Sequence, residues 1–340
     1  MYMKIATIEK VIEVKPHPNA DALELAKING WQVCIKKGEF KAGDLCVYIC
    51  VDSVLEDKPP YEFLKNKHFR IKTIRLRGQL SQGIAFPLSL FKSLGHDIIP
   101  LNENVEGTDV HSFVFASHYE KPVPAQLSGK VVGLMPSFIR KTDEDNIKSN
   151  PGIIDELKQK PYYITVKVDG SSGTYFIKDG VFGVCSRNYQ LQPDPNNSFW
   201  KIANKYNLEN KLKSHFNGKN VCVQGEVYGP GIQDNLLGEK EISFRAFNLF
   251  DIDSHTYMNY QHLLDFCNTN NVPMVQTVEI GDCFNKTLPE LQEFANSLKY
   301  DNGNLAEGIV IRPMVDTYSE VLTGRLTGKV ISETFELKHG

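Results

Sequence analysis

The seven residues from Lys167 to Gly173, with the sequence Lys-Val-Asp-Gly-Ser-Ser-Gly, constrain this chain more than any other stretch. A β-rich apolar run, Tyr162 to Val166, precedes them, and a second run, Thr174 to Ile177, follows. The pattern predicts a strand, a tight turn and a return strand, because Asp-Gly is a strong hairpin signal. Alternation along a strand puts Lys167 and Asp169 on the same side, so an amine nucleophile and a carboxylate face one site.

Two interpretations of this segment stay open on these residues alone. Asp-Gly is common in surface turns that carry no chemistry. Alternatively, Gly170 lets a phosphate group of a ligand approach the backbone beside the lysine and the aspartate. Short motifs of this kind are weak by themselves, so the residues downstream decide between the two.

The length of the chain indicates two domains. A chain of 340 residues exceeds the usual size of a single hydrophobic core.

No apolar run approaches the roughly 20 residues that span a bilayer, and the residues from Met1 to Ala6 lack the pattern of a signal peptide. We therefore expect a protein that does not enter a membrane.

The cysteines and the net charge indicate the cellular compartment and how a nucleic-acid partner would be bound. The seven cysteines are odd in number and form no Cys-x-x-Cys pair, which argues against a disulfide framework and a zinc site. A reducing, cytoplasmic location is the simplest expectation, and a nuclear or viral setting stays open. We also expect a monomer. Because the net charge is only −3, a nucleic-acid partner has to be bound by a local basic stripe.

Residues 1–120 are predicted to form an OB-type β-barrel, because short β patterns alternate there with turns. Its basic stretch, Lys65 to Gln79, is either a solvated face or a track for phosphates and nucleic acid. The predicted strands are Lys4 to Val14, Trp31 to Lys36, Leu45 to Val54, Thr73 to Arg77 and Ile84 to Pro87.

The rest of the chain is predicted to be a second domain of the α+β class. Residues 121–129, which contain Pro122 and Pro124, are predicted to be a linker. Residues 130–340 are predicted to mix antiparallel strands with short helices. Helices are expected to begin in Lys141 to Asp145, with Thr142 as the N-cap, and after Thr287, which starts a capping box. Further strands are predicted at Val181 to Ser186, Val221 to Val227, Phe244 to Ile252, Gly308 to Arg312 and Gly328 to Ile331.

Polar groups at the ends of these later strands are suited to attack by an amine on a nucleotide phosphate. Arg187 offers a guanidinium for ribose or phosphate, and Phe250 offers a ring that can stack on a base. Glu226 and Glu307 sit at strand ends, and Lys329 adds a second amine. Each has an ordinary alternative: the glutamates as strand caps, Phe250 as core, and Arg187 as a surface ion pair.

The order of these segments resembles the motifs of the covalent nucleotidyltransferases, which include ATP-dependent DNA and RNA ligases and mRNA capping enzymes. The N-terminal OB-type domain resembles the Naegleria-type RNA ligases in particular. So do the segments Trp31 to Gly43, Arg75 to Gly83 and Lys141 to Asp143. The resemblance implies an OB-type barrel followed by an antiparallel-sheet nucleotidyltransferase domain of the ATP-grasp-like ligase type.

The resemblance also implies roles for individual residues. Lys167 would be adenylylated by ATP, with Lys329 and Glu307 as further catalytic groups. A Mg²⁺ or Mn²⁺ ion would be held through water by Asp169, Glu226 and Glu307. The nucleotide would be bound by Lys167, Ser172, Arg187, Glu226, Phe250 and Lys329, and Arg70 would engage the leaving phosphates.

The chemistry implied is RNA repair in three steps. Lys167 attacks the α-phosphate of ATP, the AMP passes to a 5′-phosphate end, and a 3′-hydroxyl then attacks that end. A free lysine has a pKa near 10.4, so only about one in 2,500 is neutral at pH 7. A nearby cation, such as Lys329 or a metal ion, is expected to favour the amine.

One position departs from the family pattern and leaves a role open. The last motif of the family usually carries two lysines as Lys-x-Lys, whereas Thr327 stands two residues before Lys329. Arg325 is a candidate to compensate for the missing lysine.

Three alternatives to an RNA ligase follow from the same residues: a GTP-using capping enzyme, a DNA ligase, and a non-catalytic OB-type RNA-binding protein. The first two usually carry the OB domain after the nucleotidyltransferase domain, whereas here it comes first. The RNA substrate, either a nicked duplex or broken RNA ends, is not determined by the sequence.

Overall fold

The computed structural model describes residues 4–93, 105–119 and 131–339. By their internal contacts these residues form two compact units. The first contains the described residues up to 119, Asp145–Pro151 and the residues from Glu333 onward, and the second contains residues 131–144 and Gly152–Ser332. The predicted linker, residues 121–129, lies outside the described residues, so the division into domains 1–120 and 130–340 stays a prediction.

The elements follow one another in this order. The N-terminal part contains β1 (Ala6–Pro16), β2 (Leu23–Ile28), β3 (Trp31–Lys36), β4 (Leu45–Ile49), β5 (Ser53–Leu55), a 3-10 helix (Glu62–Lys67), β6 (Ile74–Leu76), β7 (Gln79–Ser81), β8 (Ile84–Pro87), α1 (Leu88–Ser93) and β9 (Ala116–His118). Then come β10 (Val131–Leu134), α2 (Gly152–Leu157), β11 (Tyr162–Lys167), β12 (Ser171–Lys178), β13 (Val181–Cys185), β14 (Tyr189–Leu191), α3 (Ser198–Lys205), α4 (Leu208–His215), β15 (Val221–Tyr228), β16 (Ser243–Asp251), β17 (Thr256–Tyr257), α5 (Tyr260–Asn270), β18 (Thr277–Gly281), α6 (Leu288–Ser297), β19 (Gly308–Pro313), β20 (Tyr318–Ser319), β21 (Gly324–Arg325), β22 (Gly328–Ile331) and α7 (Glu333–His339).

The first unit is built on an antiparallel sheet with the strand order β3-β2-β1-β4-β8. The long strand β1 pairs with β4 through Ala6 to Lys10 and with β2 through Val11 to Pro16. At the β3 edge, the Gln82 amide donates to the Gln32 carbonyl at 2.8 Å. The sheet is therefore curled into a half-barrel of the OB type, as predicted.

Two of the predicted N-terminal strands are placed differently. Leu45 to Val54 is not one strand, because β4 and β5 are separated by a turn in which Asp52 has a positive φ of 61°. The predicted strand Thr73 to Arg77 forms β6, which pairs with β7 alone rather than with the sheet. Its place in the sheet is taken by β2, which the sequence pattern did not single out.

Two segments distant in sequence complete the first unit. Lys148, 4% exposed, donates to Glu333 of α7 at 2.9 Å and to Gln82 at 3.2 Å. Glu336 of α7 accepts hydrogen bonds from Thr73 at 2.7 Å and from Gln82 at 3.0 Å. Helix α7 is thus held to the half-barrel by a polar cluster, which also links it to the Asp145–Pro151 segment.

The second unit contains two larger antiparallel sheets. One has the order β10-β14-β13-β12-β15-β16-β17 and the other the order β18-β11-β19-β22. Helices α3, α4 and α5 cover the first sheet through buried residues that include Phe199, Leu212 and Phe266. The α+β class predicted for the chain is confirmed.

The predicted hairpin around Lys167 is wrong, although both of its strands exist. Strand β11 pairs with β18 and β19, whereas β12 pairs with β13 and β15, so the chain passes from one sheet to the other. Gly170 lacks the positive φ of a tight hairpin turn. A Cβ on Gly170 would lie 2.5 Å from the Val227 carbonyl oxygen, so glycine is required here for the close passage past β15.

The two helix predictions had different outcomes. The capping box at Thr287 is confirmed, with the Glu290 side chain bonded to the Thr287 amide, and α6 follows it. The helix predicted in Lys141 to Asp145 is absent, because the residues from 141 to 144 form an extended segment whose side chains each contact a different part of the sheets. No helix among the described residues has both the length and the apolar character to cross a bilayer.

Candidate active site

The centre of the site is an ion pair between Lys167 and Glu307. Their side chains lie with Nζ 2.7 Å from Oε2 and are 25% and 16% exposed. The contact follows from the register of β11 on β19, in which Lys167 pairs with Gly308, the neighbour of Glu307. Residues 140 positions apart are therefore brought together by the pairing of two buried strands.

Two more carboxylates surround this pair. Glu226 pairs with Ser172 across β15 and β12, which places it beside the crossing segment at Gly170. Asp169 lies in that crossing segment, and its charge interacts with that of Glu226. Three acidic side chains thus share one site with the Lys167 ammonium.

The electrostatics of the site show a surplus of negative charge. Burial raises the pKa of Glu226 to about 8; the Lys167 ammonium opposes this shift, whereas the Glu307 and Asp169 carboxylates add to it. Burial alone would lower the pKa of Lys167, but Glu307 and Glu226 outweigh it, and the net pKa is raised. Lysine activation by a neighbouring cation, expected from the sequence, is therefore not the resting state, in which Lys167 is a protonated ammonium.

The acidic side chains of this site carry donors that suit a divalent cation. Carboxylate oxygens are the ligands that Mg²⁺ and Mn²⁺ prefer. Among residues 4–93, 105–119 and 131–339, no three acidic, histidine or cysteine side chains converge closely enough to ligate an ion directly. Burial, and then the charges of Glu307 and Asp169, raise the pKa of Glu226, and added positive charge beside these three groups would oppose the part of the shift that comes from the carboxylates.

Ser172 and Arg187 lie at the edge of the site and contact the extended segment from 141 to 144. The Ser172 hydroxyl is 2.7 Å from the Thr142 hydroxyl. Arg187 is paired with Asp143 at 2.8 Å, and its charge also interacts with Glu226. The two predicted ribose-binding residues are thus brought to the same side as the carboxylates.

Lys329 shares a face with Lys167. Lys329 pairs with Val310 of β19, and Lys167 pairs with Gly308, two residues earlier on the same strand. Directly opposite residues in a ladder project to the same side, and so do residues two apart on a strand, so both lysines project to one face. Thr327 is buried, and its hydroxyl donates to the Ile311 carbonyl. Arg325 donates to Asp316 and to Asn248 and stacks 3.9 Å above the Tyr257 ring, so these contacts account for it without a role beside Lys329.

Phe250 is placed in the core. Its ring is fully buried in a cluster with Phe176 and Cys222, and it meets the rings of His255 and Tyr257 edge-on. Stacking on a base would require these neighbours to move, so the packing favours the core alternative for Phe250 in this conformation.

Arg70 belongs to the first unit. Its guanidinium pairs with Asp52 at 3.0 Å and stacks 3.7 Å above the ring of Tyr119. A rigid, partly exposed guanidinium is suited to phosphate, and the role of Arg70 toward leaving phosphates stays a prediction.

Sequence reasoning missed several groups around this site. Asp143 and Glu144 were expected to lie in a helix, yet they pair with Arg187 and with the buried Arg312. Tyr300, whose hydroxyl contacts backbone groups beside Lys167, carries no motif. The clustered charges of 141–144 were a usable signal, but a lone tyrosine before a turn was not.

Two family models match this chain. An OB-fold domain model matches residues 5–88, and an RNA ligase model matches residues 160–331. A search of curated proteins returned no match.

Solved structures of one ligase match almost the whole chain. The Naegleria gruberi RNA ligase with PPi is 33% identical, with a TM-score of 0.85 and 98% of each chain covered. A mutant of that ligase with AMP and Mn gives the same values, and a mutant with ATP and Mn gives 32% and 0.86 over 98% of each chain. An OB-type unit and a partly buried lysine among carboxylates fit the nucleotidyltransferase class of ligase. This chain belongs to the RNA ligase family, with its full-length similarity to the Naegleria type.

Proposed function

We propose that this protein is an ATP-dependent RNA ligase that joins 3′-hydroxyl and 5′-phosphate ends through a lysyl-AMP intermediate. The observation that carries the proposal is the partly buried Lys167 amine, 2.7 Å from Glu307 and close to Glu226 and Asp169, in a chain of the RNA ligase family. The similar ligase has been solved with ATP, AMP and PPi, which are the substrate and products of this chemistry.

In the first step, Lys167 Nζ attacks the α-phosphorus of ATP. A nitrogen–phosphorus bond forms, and the bond from the α-phosphorus to the pyrophosphate oxygen breaks. The amine must first lose a proton, since its pKa is raised by Glu307 and Glu226 in the resting protein. The AMP then passes to a 5′-phosphate end, and a 3′-hydroxyl attacks that end and releases AMP.

We propose that Asp169, Glu226 and Glu307 hold a Mn²⁺ or Mg²⁺ ion through its water shell. The related ligase has been solved with Mn. The ion supplies positive charge against the phosphates of ATP. A bound cation would also compensate the negative charges of Glu307 and Glu226, which raise the pKa of Lys167. The pKa of Lys167 would then be lower, and the free amine would be favoured.

We propose the remaining nucleotide contacts from the positions of side chains on the two sheets. Ser172 and Arg187 border the carboxylates and suit the ribose, while Lys329 shares the Lys167 face and suits the α-phosphate. We assign Phe250 to the base on family resemblance; this requires its covering rings to shift. Arg70 is assigned to the leaving phosphates on the same ground.

We propose that the physiological partner is RNA with a nick or a broken end, and that the protein acts as a monomer. None of the seven cysteines, which all lie among the described residues, forms a disulfide, and this suits a reducing, cytoplasmic setting.

Labelling with α-³²P-ATP tests the nucleophile. Lys167→Ala should lose covalent label completely, because the substitution removes the attacking Nζ amine. Lys178→Ala, in the same unit but in an exposed pair with Asp253, is the matched control and should label like the unsubstituted protein. Full labelling of Lys167→Ala would refute the assignment.

The same assay separates the alternatives. Label from GTP alone would indicate a capping enzyme, and no label from any nucleotide would indicate a non-catalytic RNA-binding protein. Sealing of nicked duplexes with RNA or DNA on the 3′-hydroxyl side distinguishes an RNA ligase from a DNA ligase. We expect label from ATP and faster sealing with RNA at the 3′-hydroxyl end.

A further inference from the structure

The hydroxyl of Tyr300 joins three backbone groups of the active site. It donates to the Lys167 carbonyl at 3.1 Å and accepts hydrogen bonds from the Asp169 amide at 3.1 Å and the Glu307 amide at 3.3 Å. A tyrosine hydroxyl donates through its O–H and accepts through its oxygen. Its one donated and two accepted hydrogen bonds all go to the residues that carry the nucleophile and two of the carboxylates.

These three groups lie where regular pairing stops. The ladder between β11 and β19 ends at the pair Lys167 and Gly308, so Glu307 and Asp169 lie just beyond it. Strand β12 begins only at Ser171. Beyond the end of the ladder, the Tyr300 hydroxyl bridges the crossing segment and the start of β19 through backbone groups.

The ring of Tyr300 is itself held firmly. The residue is 6% exposed, and its ring packs in a cluster with Val166 and Ala306. Its amide donates to the Asn304 carbonyl at 2.8 Å, which closes the turn between α6 and β19. A rigid ring presents the hydroxyl from a fixed position, and phenylalanine would keep the packing while removing the three hydrogen bonds.

We propose that Tyr300 is a positioning residue for lysine adenylylation, acting through the backbones of Lys167, Asp169 and Glu307. It holds the amine and the carboxylates in one geometry and does not touch ATP. This inference rests on the proposed function, because it concerns the same first step. Misplacement of a reacting group by about 1 Å can lower a rate by about 100-fold, so such a support is kinetically important.

Single-turnover adenylylation of Tyr300→Phe tests the proposal. The maximal rate at saturating ATP should fall by about 10- to 100-fold, while the ATP concentration for half-maximal rate changes by less than about threefold. Tyr175→Phe is the matched control, since its buried hydroxyl has no hydrogen-bond partner among the described residues, and its rate should stay within about twofold. Rates are taken per folded molecule, from circular dichroism at the assay temperature.

An unchanged maximal rate in Tyr300→Phe, or a loss confined to ATP affinity, would overturn the proposal. Should the variant fail to fold, amide hydrogen exchange in the unsubstituted protein decides: the Asp169 and Glu307 amides should be protected although they lie outside any ladder, and rapid exchange at both would overturn it. If the unsubstituted protein forms no adduct on Lys167, the proposed function fails instead, which separates the two ideas.

Discussion

At the scale of single residues, the charge balance around Lys167 determines how the site responds to pH. The folded protein keeps Glu226 protonated up to about pH 8, far above the ordinary pKa of a glutamate. Between these two values the native state binds a proton that the unfolded chain has lost. Stability from this group is therefore present at low pH and is lost as the pH rises through 8.

We expect the melting temperature of the protein without divalent cations to fall more between pH 5 and 8.5 than that of Glu226→Gln, whose side chain does not titrate. The two falls in melting temperature should differ by several degrees, because only the unsubstituted protein has the glutamate with the shifted pKa. Added Mn²⁺ should stabilise the unsubstituted protein more at pH 8.5 than at pH 6, since the cation favours the carboxylate. Parallel pH profiles for the two proteins, measured by differential scanning calorimetry, would contradict this prediction.

Residue identities in the site were easier to anticipate than residue contacts. Lys167, Glu226 and Glu307 were identified because each stands at the end of a β pattern in a family-like order. The Lys167–Glu307 contact depends on the register of β11 on β19, which periodicity does not encode. Tyr300 was missed because its role comes from a single hydroxyl between three backbone segments.

At the scale of elements, the crossing between β11 and β12 is the most constrained feature. The chain leaves one sheet and enters the other within three residues, past the backbone of β15. Both strands were predicted from their apolar, β-branched and aromatic residues. Their partners were not, because Asp-Gly is compatible with a hairpin and with a crossing, and only burial of both strands in separate sheets selects the crossing.

Gly170→Ala should destabilise the protein by about 1–3 kcal/mol, because its Cβ would meet the Val227 carbonyl oxygen at 2.5 Å. The adenylylation rate should fall as well, since the neighbouring Asp169 would shift. Gly133→Ala is the control: its Cβ meets nothing within 4 Å, and its free energy of unfolding should change by less than about 1 kcal/mol. Equal stability of the two variants in urea would argue against a tight crossing.

At the scale of the whole molecule, the first unit is discontinuous in sequence. Its half-barrel is completed by Asp145–Pro151 and α7, which flank most of the second unit along the chain. Composition and β patterns predicted an N-terminal domain but could not reveal these additions. Lys148 and Glu336 look like ordinary surface charges in the sequence, and only the folded structure brings them into one cluster, in which Lys148 is buried.

Lys148→Ala should destabilise the first unit by about 2–3 kcal/mol, because Glu333 loses its ion-pair partner and the Gln82 amide oxygen loses its donor. Hydrogen exchange should accelerate in β1 to β4 and α7 before it does in β15 and β16. Lys158→Ala, which removes an exposed ion pair with Asp155, should change stability by about 0.5 kcal/mol or less. Uniform acceleration across both units would contradict the assignment of the cluster to the first unit.

The discontinuity also bears on how the protein is made. During synthesis the N-terminal strands emerge first, but α7, which completes their unit, begins at Glu333 and is translated long after Pro151. The half-barrel therefore lacks α7 during the time in which the sheets of the second unit are translated. A protein truncated after residue 120 would lack both Asp145–Pro151 and α7.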